Sequence, residues 1–263
     1  MNLGGQTALV TGASGGLGHA IARALAGRGA HVILTARRVD VLEALAEETG
    51  GRAVACDLSD RAAVLKLVED AGPVDVLVAN AGLPASGGLL SFSVEEIDRA
   101  LDVNLRAPMI LARVIAEGMI GRGGGHIVFV SSLSGKAATV GSSVYSATKF
   151  GVRGFAMGLR EDLRSRGVGV STVFPGFIRD AGMFHDAGTK LPPYVGTKTP
   201  EDVGAAVVRA IEHDKSEVDV APIPLRLGTA ITGLAPELAA MVQRRIGASD
   251  VASSMERGQR NKR

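Results

Sequence analysis

The chain has 263 residues, 46% of them apolar, with 35 glycines, no tryptophan and only 3% aromatics. That length suits one large α/β domain with a core of aliphatic side chains and alanine, and the dispersed glycines follow no collagen-like period. A net charge of +2 gives no reason to expect a nucleic-acid partner, the single cysteine Cys56 excludes an intrachain disulfide framework, and no apolar run reaches membrane-spanning length without Gly, Pro or charge.

Short β-branched runs alternate with amphipathic segments from the first residues onward. A strand is predicted over 7–11, followed by a helix over 16–26, a strand over 30–35 and a helix over 39–48 carrying Val41, Leu42 and Leu45. Strands then fit 52–56, 74–79, 126–131 and 168–174, with helices at 61–69, 94–113, 143–164 and 200–211 between or after them. A last strand near 217–220 completes the set, and an amphipathic helix near 236–246 carries Leu238, Met241 and Val242. Alternation of this kind implies right-handed crossovers and a doubly wound parallel sheet, a Rossmann fold with helices on both faces. No linker divides the chain, so residues 1–263 are expected to form a single domain. Within it, 176–199 is interrupted by Gly182, Gly188, Pro192, Pro193 and Gly196. It reads as a substrate lid, with Phe177, Met183, Phe184, Leu191 and Tyr194 suited to a greasy ligand. Residues 247–263, ending in Arg257, Arg260, Lys262 and Arg263, read as a flexible, solvated tail. The start of the chain has neither the basic region nor the apolar run of a signal peptide, and a cytoplasmic location is expected.

Between the first strand and the first helix stands Thr11-Gly12-Ala13-Ser14-Gly15-Gly16-Leu17-Gly18. Glycines there permit a tight turn and bring backbone N–H groups to a pyrophosphate, whose charge the helix N-terminus favours. After the second strand comes Thr35-Ala36-Arg37-Arg38, with no carboxylate to hold a ribose 2′-hydroxyl. Arg37, assisted by Arg38, suits the 2′-phosphate of NADP, which is therefore expected in preference to NAD. Tyr145-Ser146-Ala147-Thr148-Lys149 places a phenol and an ammonium four residues apart on one helical face. Alone, that pair is equally an exposed surface pair. As a site, the cation would favour phenolate and make the phenol a usable acid and base. The histidines His19, His31, His126, His185 and His213 are scattered without ligand spacing and read as surface or turn residues, so no metal is expected.

Three further pieces end predicted strands: Asn80-Ala81-Gly82, Ser131-Ser132 and Pro175-Gly176. With the glycine-rich turn and Tyr145-Lys149, this set resembles the short-chain dehydrogenase/reductase family over about residues 7–176. The resemblance implies an enzyme acting on a CH–OH group or the matching carbonyl, with Tyr145 as general acid and base. Lys149 would lower the Tyr145 pKa and bond the nicotinamide ribose, Ser132 would polarise the carbonyl oxygen, and Asn104 would anchor a proton-relay water. Ser131, Ser134, Ser142 and Ser143 are nearby rivals of Ser132. Gly12, Ser14, Gly16, Leu17 and Gly18 would hold the pyrophosphate, and Asp57 with Leu58 the adenine. Asn80, Ala81 and Gly82 would line the adenosine ribose, and Pro175, Gly176 and Ile178 the nicotinamide. Two departures stand out: Ala79 where many members have asparagine, and Asp180 where many have threonine. The implied reaction is NADP(H)-dependent interconversion of a carbonyl and an alcohol on a mainly apolar small molecule. A 3-oxoacyl thioester is the alternative substrate, and a non-catalytic dinucleotide sensor is the alternative of another class. The resemblance also implies a homodimer or homotetramer built on the helices that carry Asn104 and Tyr145.

Overall fold

In the computed structural model, which describes residues 1–189, 191, 195–234, 237 and 248–259, the aliphatic runs form seven strands. These are β1 (Thr7–Thr11), β2 (His31–Ala36), β3 (Arg52–Ala55), β4 (Val76–Ala79), β5 (Gly125–Val130), β6 (Val168–Pro175) and β7 (Glu217–Val220). All pair in parallel, in the order β3-β2-β1-β4-β5-β6-β7. The runs are apolar on consecutive residues because both faces are covered: Ala8, Leu9 and Val10 are fully buried, as are Val76, Leu77 and Val78.

Two cores result, one on each side of the sheet. On the first, Val10, Val78 and Val128 pack with Ile21 and Leu25 of α1 (Gly16–Ala26), Leu42 and Leu45 of α2 (Val39–Thr49), and Val203 and Val207 of α8 (Pro200–Glu212). On the second, Leu9, Leu77 and Phe129 pack with Val64 and Leu67 of α3 (Arg61–Ala71), Leu111 and Ile115 of α5 (Ala107–Gly121), and Val152 and Ala156 of α6 (Ser143–Leu163). The period-2 alternation of strand side chains assigns neighbours such as Leu9 and Val10 to opposite cores. The strand order reverses direction between β1 and β4. Open parallel sheets bind ligands at such a point, beyond the strands' C-terminal ends.

The predicted helix over 94–113 is instead three segments. α4 (Val94–Leu101) begins with a capping box between Ser93 and Glu96. A five-residue π turn, Asp102–Arg106, follows and leads into α5. Pro108 gives the local reason, because it has no N–H for the Asn104 carbonyl and its ring would crowd that carbonyl in an α-helix.

The C-terminal region departs further from expectation. A helix not expected from the sequence, α9 (Ile223–Leu234), follows β7, with Pro222 just before it and Pro224 in its first turn, where proline is tolerated. The helix expected near 236–246 lies outside the described residues, apart from Glu237. The expected tail contains helix α10 (Ala248–Gln259), and its Gln259 is buried. Inside the lid, a single helical turn, α7 (Met183–Asp186), forms despite the flanking glycines. His126 is also not a surface residue: it is buried, lies 2.8 Å from Ser171 Oγ, and desolvation pushes its pKa down to about 4.

Two glycines of the first turn separate backbone necessity from tolerance. Gly12 has φ +65°, and a Cβ there would lie 2.7 Å from Ala81 Cα, whereas a Cβ on Gly15 would meet only the Gly12 carbonyl at 3.6 Å. Gly12→Ala is therefore expected to lower the unfolding free energy by about 2–4 kcal/mol. Gly15→Ala should change it by less than about 0.5 kcal/mol, both measured by urea denaturation.

Candidate active site

The glycine-rich turn is a backbone cradle. A Cβ on Gly18 would collide with the Gly12 carbonyl and lie 2.7 Å from Ala13 Cα, so this strand-to-helix connection closes only with glycine. α1 starts here without a side-chain cap, which leaves its first N–H groups for an anion. Thr11 Oγ1 accepts from the N–H of Asn80 (3.1 Å) and of Ala81 (3.0 Å), and Asn80 Nδ2 donates to the Thr11 carbonyl at 2.9 Å. Asn80 thus joins β1 to β4, a structural task that its expected ribose contact did not include. Thr11 was missed in the sequence, where nothing distinguishes a strand-terminal threonine that accepts two main-chain bonds.

Arg37 and Arg38 follow β2 and are exposed. Arg38 Nη2 donates to the Ser14 carbonyl at 3.2 Å, which sets one guanidinium beside the turn. Across from them is Asp57. Burial alone would raise its pKa, but bonds from the Ser59 N–H and hydroxyl, helped by Arg37 and Arg99, hold it below the usual range. The cradle, the guanidinium groups and the carboxylate lie in that order along the sheet edge, at the ends of β1, β2 and β3, and are groups that could hold a dinucleotide.

At the other end, Ser132, Tyr145, Lys149 and Asn104 come together. The Ser132 hydroxyl lies near enough to the Tyr145 phenol to favour its ionised form, and Lys149 Nζ lies 5.7 Å from the centre of the phenol ring. A Cβ on Gly82 would sit 3.5 Å from Asn104 Oδ1 and 3.6 Å from Lys149 Nζ, so the glycine leaves both groups facing one small space. Asn104 is buried and brackets one residue of the loop after β4: its Oδ1 accepts from Leu83 N–H at 2.6 Å and its Nδ2 donates to Leu83 O at 2.9 Å. Thr148, inside the Tyr145–Lys149 turn, bonds the Tyr145 carbonyl and lies 3.5 Å from Asn104 Nδ2. It stands one turn beyond Tyr145, a spacing that alone suggests only a helix self-contact.

Two of the rival serines, Ser131 and Ser142, have their hydroxyls committed elsewhere. Ser131 Oγ donates to the Lys149 carbonyl, Ser142 Oγ bonds Thr139 and Ser146, and the Ser134 N–H donates to Ser132 Oγ. Ser143 is exposed on the first turn of α6. Pro175 is the last residue of β6 rather than the first after it, Gly176 follows close to Leu133, and Ile178 is buried.

The electrostatics differ from the sequence expectation. Desolvation pushes the Tyr145 phenol up to about 12, against the lowering effect of the Ser132 hydroxyl, so Lys149 does not depress it in this state. Lys149 is itself buried and its pKa is pushed down to about 8, with Nζ donating to the Val130 carbonyl at 3.1 Å. The phenol therefore holds its proton firmly, and the ammonium is one whose charge the interior resists. Among the described residues no group of three or more His, Cys, Asp or Glu could hold a metal ion, and no helix is long and apolar enough to cross a membrane.

Known proteins resemble this chain in sequence and in fold. The family profile described as short chain dehydrogenase matches residues 6–191. A ketoacyl reductase, HetN, of Nostoc sp. is 36% identical over 262 residues, covering 94% of this chain and 91% of its own. The 3-oxoacyl-[acyl-carrier-protein] reductase FabG of Rickettsia conorii is 36% identical over 181 residues, covering 68% of this chain and 75% of its own. Among solved structures, a metagenomic short-chain oxidoreductase in complex with NADP superposes with a TM-score of 0.70 at 38% identity, covering 84% of this chain and 99% of that one. A short-chain dehydrogenase from Sphingobium yanoikuyae in complex with NADPH gives 0.74 at 30% identity, with 88% and 96% covered. The chain belongs to the short-chain dehydrogenase/reductase family of oxidoreductases.

Proposed function

We propose that this protein uses NADP(H) to interconvert a carbonyl and an alcohol on a mainly apolar substrate, with Tyr145 exchanging the proton. The observation that carries the reading is the Tyr145 phenol, set beside the Ser132 hydroxyl and 5.7 Å, ring centre to Nζ, from the buried ammonium of Lys149. In reduction the phenol gives its proton to the substrate oxygen while the Ser132 hydroxyl steadies that oxygen from beside it. A phenol near 12 keeps its proton at neutral pH, which suits the acid role. In oxidation it must accept one, and a charged Lys149 favours the phenolate. Asn104 fixes the loop after β4 at Leu83, next to Gly82, and so keeps the space beside Lys149 open. When bound, the nicotinamide supplies or takes the hydride.

The residues that would hold the dinucleotide are those of the cradle (Gly12, Ser14, Gly16, Leu17, Gly18), with Arg37 and Arg38 at the 2′-phosphate and Asp57 and Leu58 at the adenine. Asn80, Ala81 and Gly82 would line the ribose, and Pro175, Gly176 and Ile178 the nicotinamide. The neighbours whose descriptions include NADP or NADPH support the phosphate assignment. The names of the ketoacyl and 3-oxoacyl reductases support a 3-oxoacyl thioester as the second substrate reading.

Three measurements test this. Tyr145→Phe should lower NADPH-dependent turnover about a thousandfold with NADPH binding retained, in an absorbance assay run on 3-oxoacyl thioesters and on apolar ketones. Unchanged turnover would sink the mechanism. NADPH binding by the parent with no turnover on either substrate class would favour the non-catalytic sensor, and otherwise the better substrate class decides between the two enzyme readings. Arg37→Glu should raise the KM for NADPH at least about tenfold more than that for NADH; an unmoved ratio overturns the phosphate assignment.

The third concerns Lys149 without dinucleotide. Between its native value of about 8 and its unfolded value near 10.5 the unfolded chain holds a proton that the native chain lacks, so stability rises with pH in that window. The unfolding free energy of the parent minus that of Lys149→Met should therefore increase by on the order of 2–3 kcal/mol from pH 8 to 10. A flat difference would show that the lysine is not desolvated.

A further inference from the structure

Helix α10 is fastened to the lid at three points. Gln259 Nε2 donates to the Met183 carbonyl at 3.1 Å, and Thr189 Oγ1 donates to Ser254 Oγ at 3.1 Å. Gly258 lies so close to α7 that a Cβ there would stand 2.6 Å from Ala187 Cα and 2.8 Å from its carbonyl carbon. The base of the lid is pinned separately, by Arg179 N–H to Lys198 O at 2.9 Å and Lys198 N–H to Phe177 O at 3.0 Å.

Between these two anchorages the chain turns sharply at Asp180 (φ +69°) and Gly182 (φ +87°). Asp180 is one of two described non-glycine residues with positive φ, a conformation that strains an L side chain. The residue between the two turns, Ala181, lies against Gly16 so closely that a Cβ there would overlap its side chain, and a Cβ on Gly182 would meet Leu17 Cδ1 at 2.6 Å. Met183 Cε reaches to within 3.4 Å of a Cβ built on Gly82, beside Lys149 and Asn104. The lid thus covers the first N–H groups of α1, the place a pyrophosphate would take. Gln259 is 1% exposed, and its Oε1 has no partner among the described groups. An unpaired buried acceptor is unfavourable and opposes the bond made by the same amide.

We propose that α10 is a strap holding the 181–187 lid over the phosphate turn, with Gln259 as its positioning residue. Admission and release of the dinucleotide then require the α10–α7 contact to open. The inference rests on the dinucleotide reading above and adds a gate to it, located outside the catalytic groups.

The test is a reversible lock. Cys56 is the only native cysteine and is buried, so Thr189→Cys combined with Ser254→Cys offers one clean crosslink. With bridging confirmed by mass, NADPH association and dissociation followed by stopped-flow fluorescence should slow at least about tenfold and recover on adding dithiothreitol. Equal rates in the bridged and reduced forms overturn the strap alone. A parent chain that binds no NADPH overturns the dinucleotide reading and the strap's role with it.

The opposite perturbation removes the fastening. Gln259→Leu, and the similarly sized Gln259→Met, neither of which can donate to Met183, should speed NADPH dissociation about tenfold and raise its KM. Both should leave kcat and the unfolding midpoint within twofold and about two degrees of the parent. If Gln259→Met released NADPH at the parent rate, the donor bond would have no positioning role.

Discussion

The arrangement of this site depends on one unfavourable placement, an ammonium held out of water. Lys149 is 3% exposed, and its one main-chain bond, to Val130, does not offset full hydration. Such a group survives only where its surroundings are fixed. The end of β5 supplies the acceptor, Ser131 holds the Lys149 carbonyl, and Asn104 pins the loop opposite through Leu83. Each of these contacts joins a different element, so the lysine is buried only when the sheet, the π turn and α6 are all in place.

The sheet was the most legible part of the sequence, because burial on both faces leaves an aliphatic run with no alternation to misread. Boundaries moved by one or two residues: β2 starts at His31 rather than Ala30, and β4 at Val76 rather than Val74. The candidate residues at the strand ends were legible for a similar reason, since a parallel sheet collects its C-terminal loops on one edge. Burial energetics were not legible. The four-residue spacing of Tyr145 and Lys149 suggests mutual stabilisation of charge, but that spacing carries no information about how dry the shared face is. Desolvation instead moves the two groups in opposite directions, each toward its neutral form. The structural duties of Thr11 and Asn80 were equally hidden, being bonds to main-chain atoms far away in sequence.

The C-terminal third was the hardest to read. Prolines mark breaks in sequence, but their effect depends on whether they fall inside an element or at its first turn, and α9 has Pro222 just before it and Pro224 in its first turn. α10 has a polar, unremarkable composition that resembles a tail. What orders it is tertiary: the amide of Gln259 and the missing side chain of Gly258 fit against α7. The lid therefore connects the least legible part of the chain to the most legible, since Ala181 and Gly182 rest on the glycine turn that sequence inspection finds first.

The π turn at 102–106 constrains how this helix can vary. Such a turn is one residue of surplus chain, and it offsets the two helices it joins by about 100° about their common axis. The offset lets Ala100 of α4 pack near Tyr145 while Leu111 and Ile115 of α5 point into the sheet. Side chains along this stretch could change in size or polarity one at a time, but losing or gaining a single residue would rotate one helix away from its core. Across lineages, the distance in residues from Ser93 to Pro108 should be held more strictly than the residues that fill it.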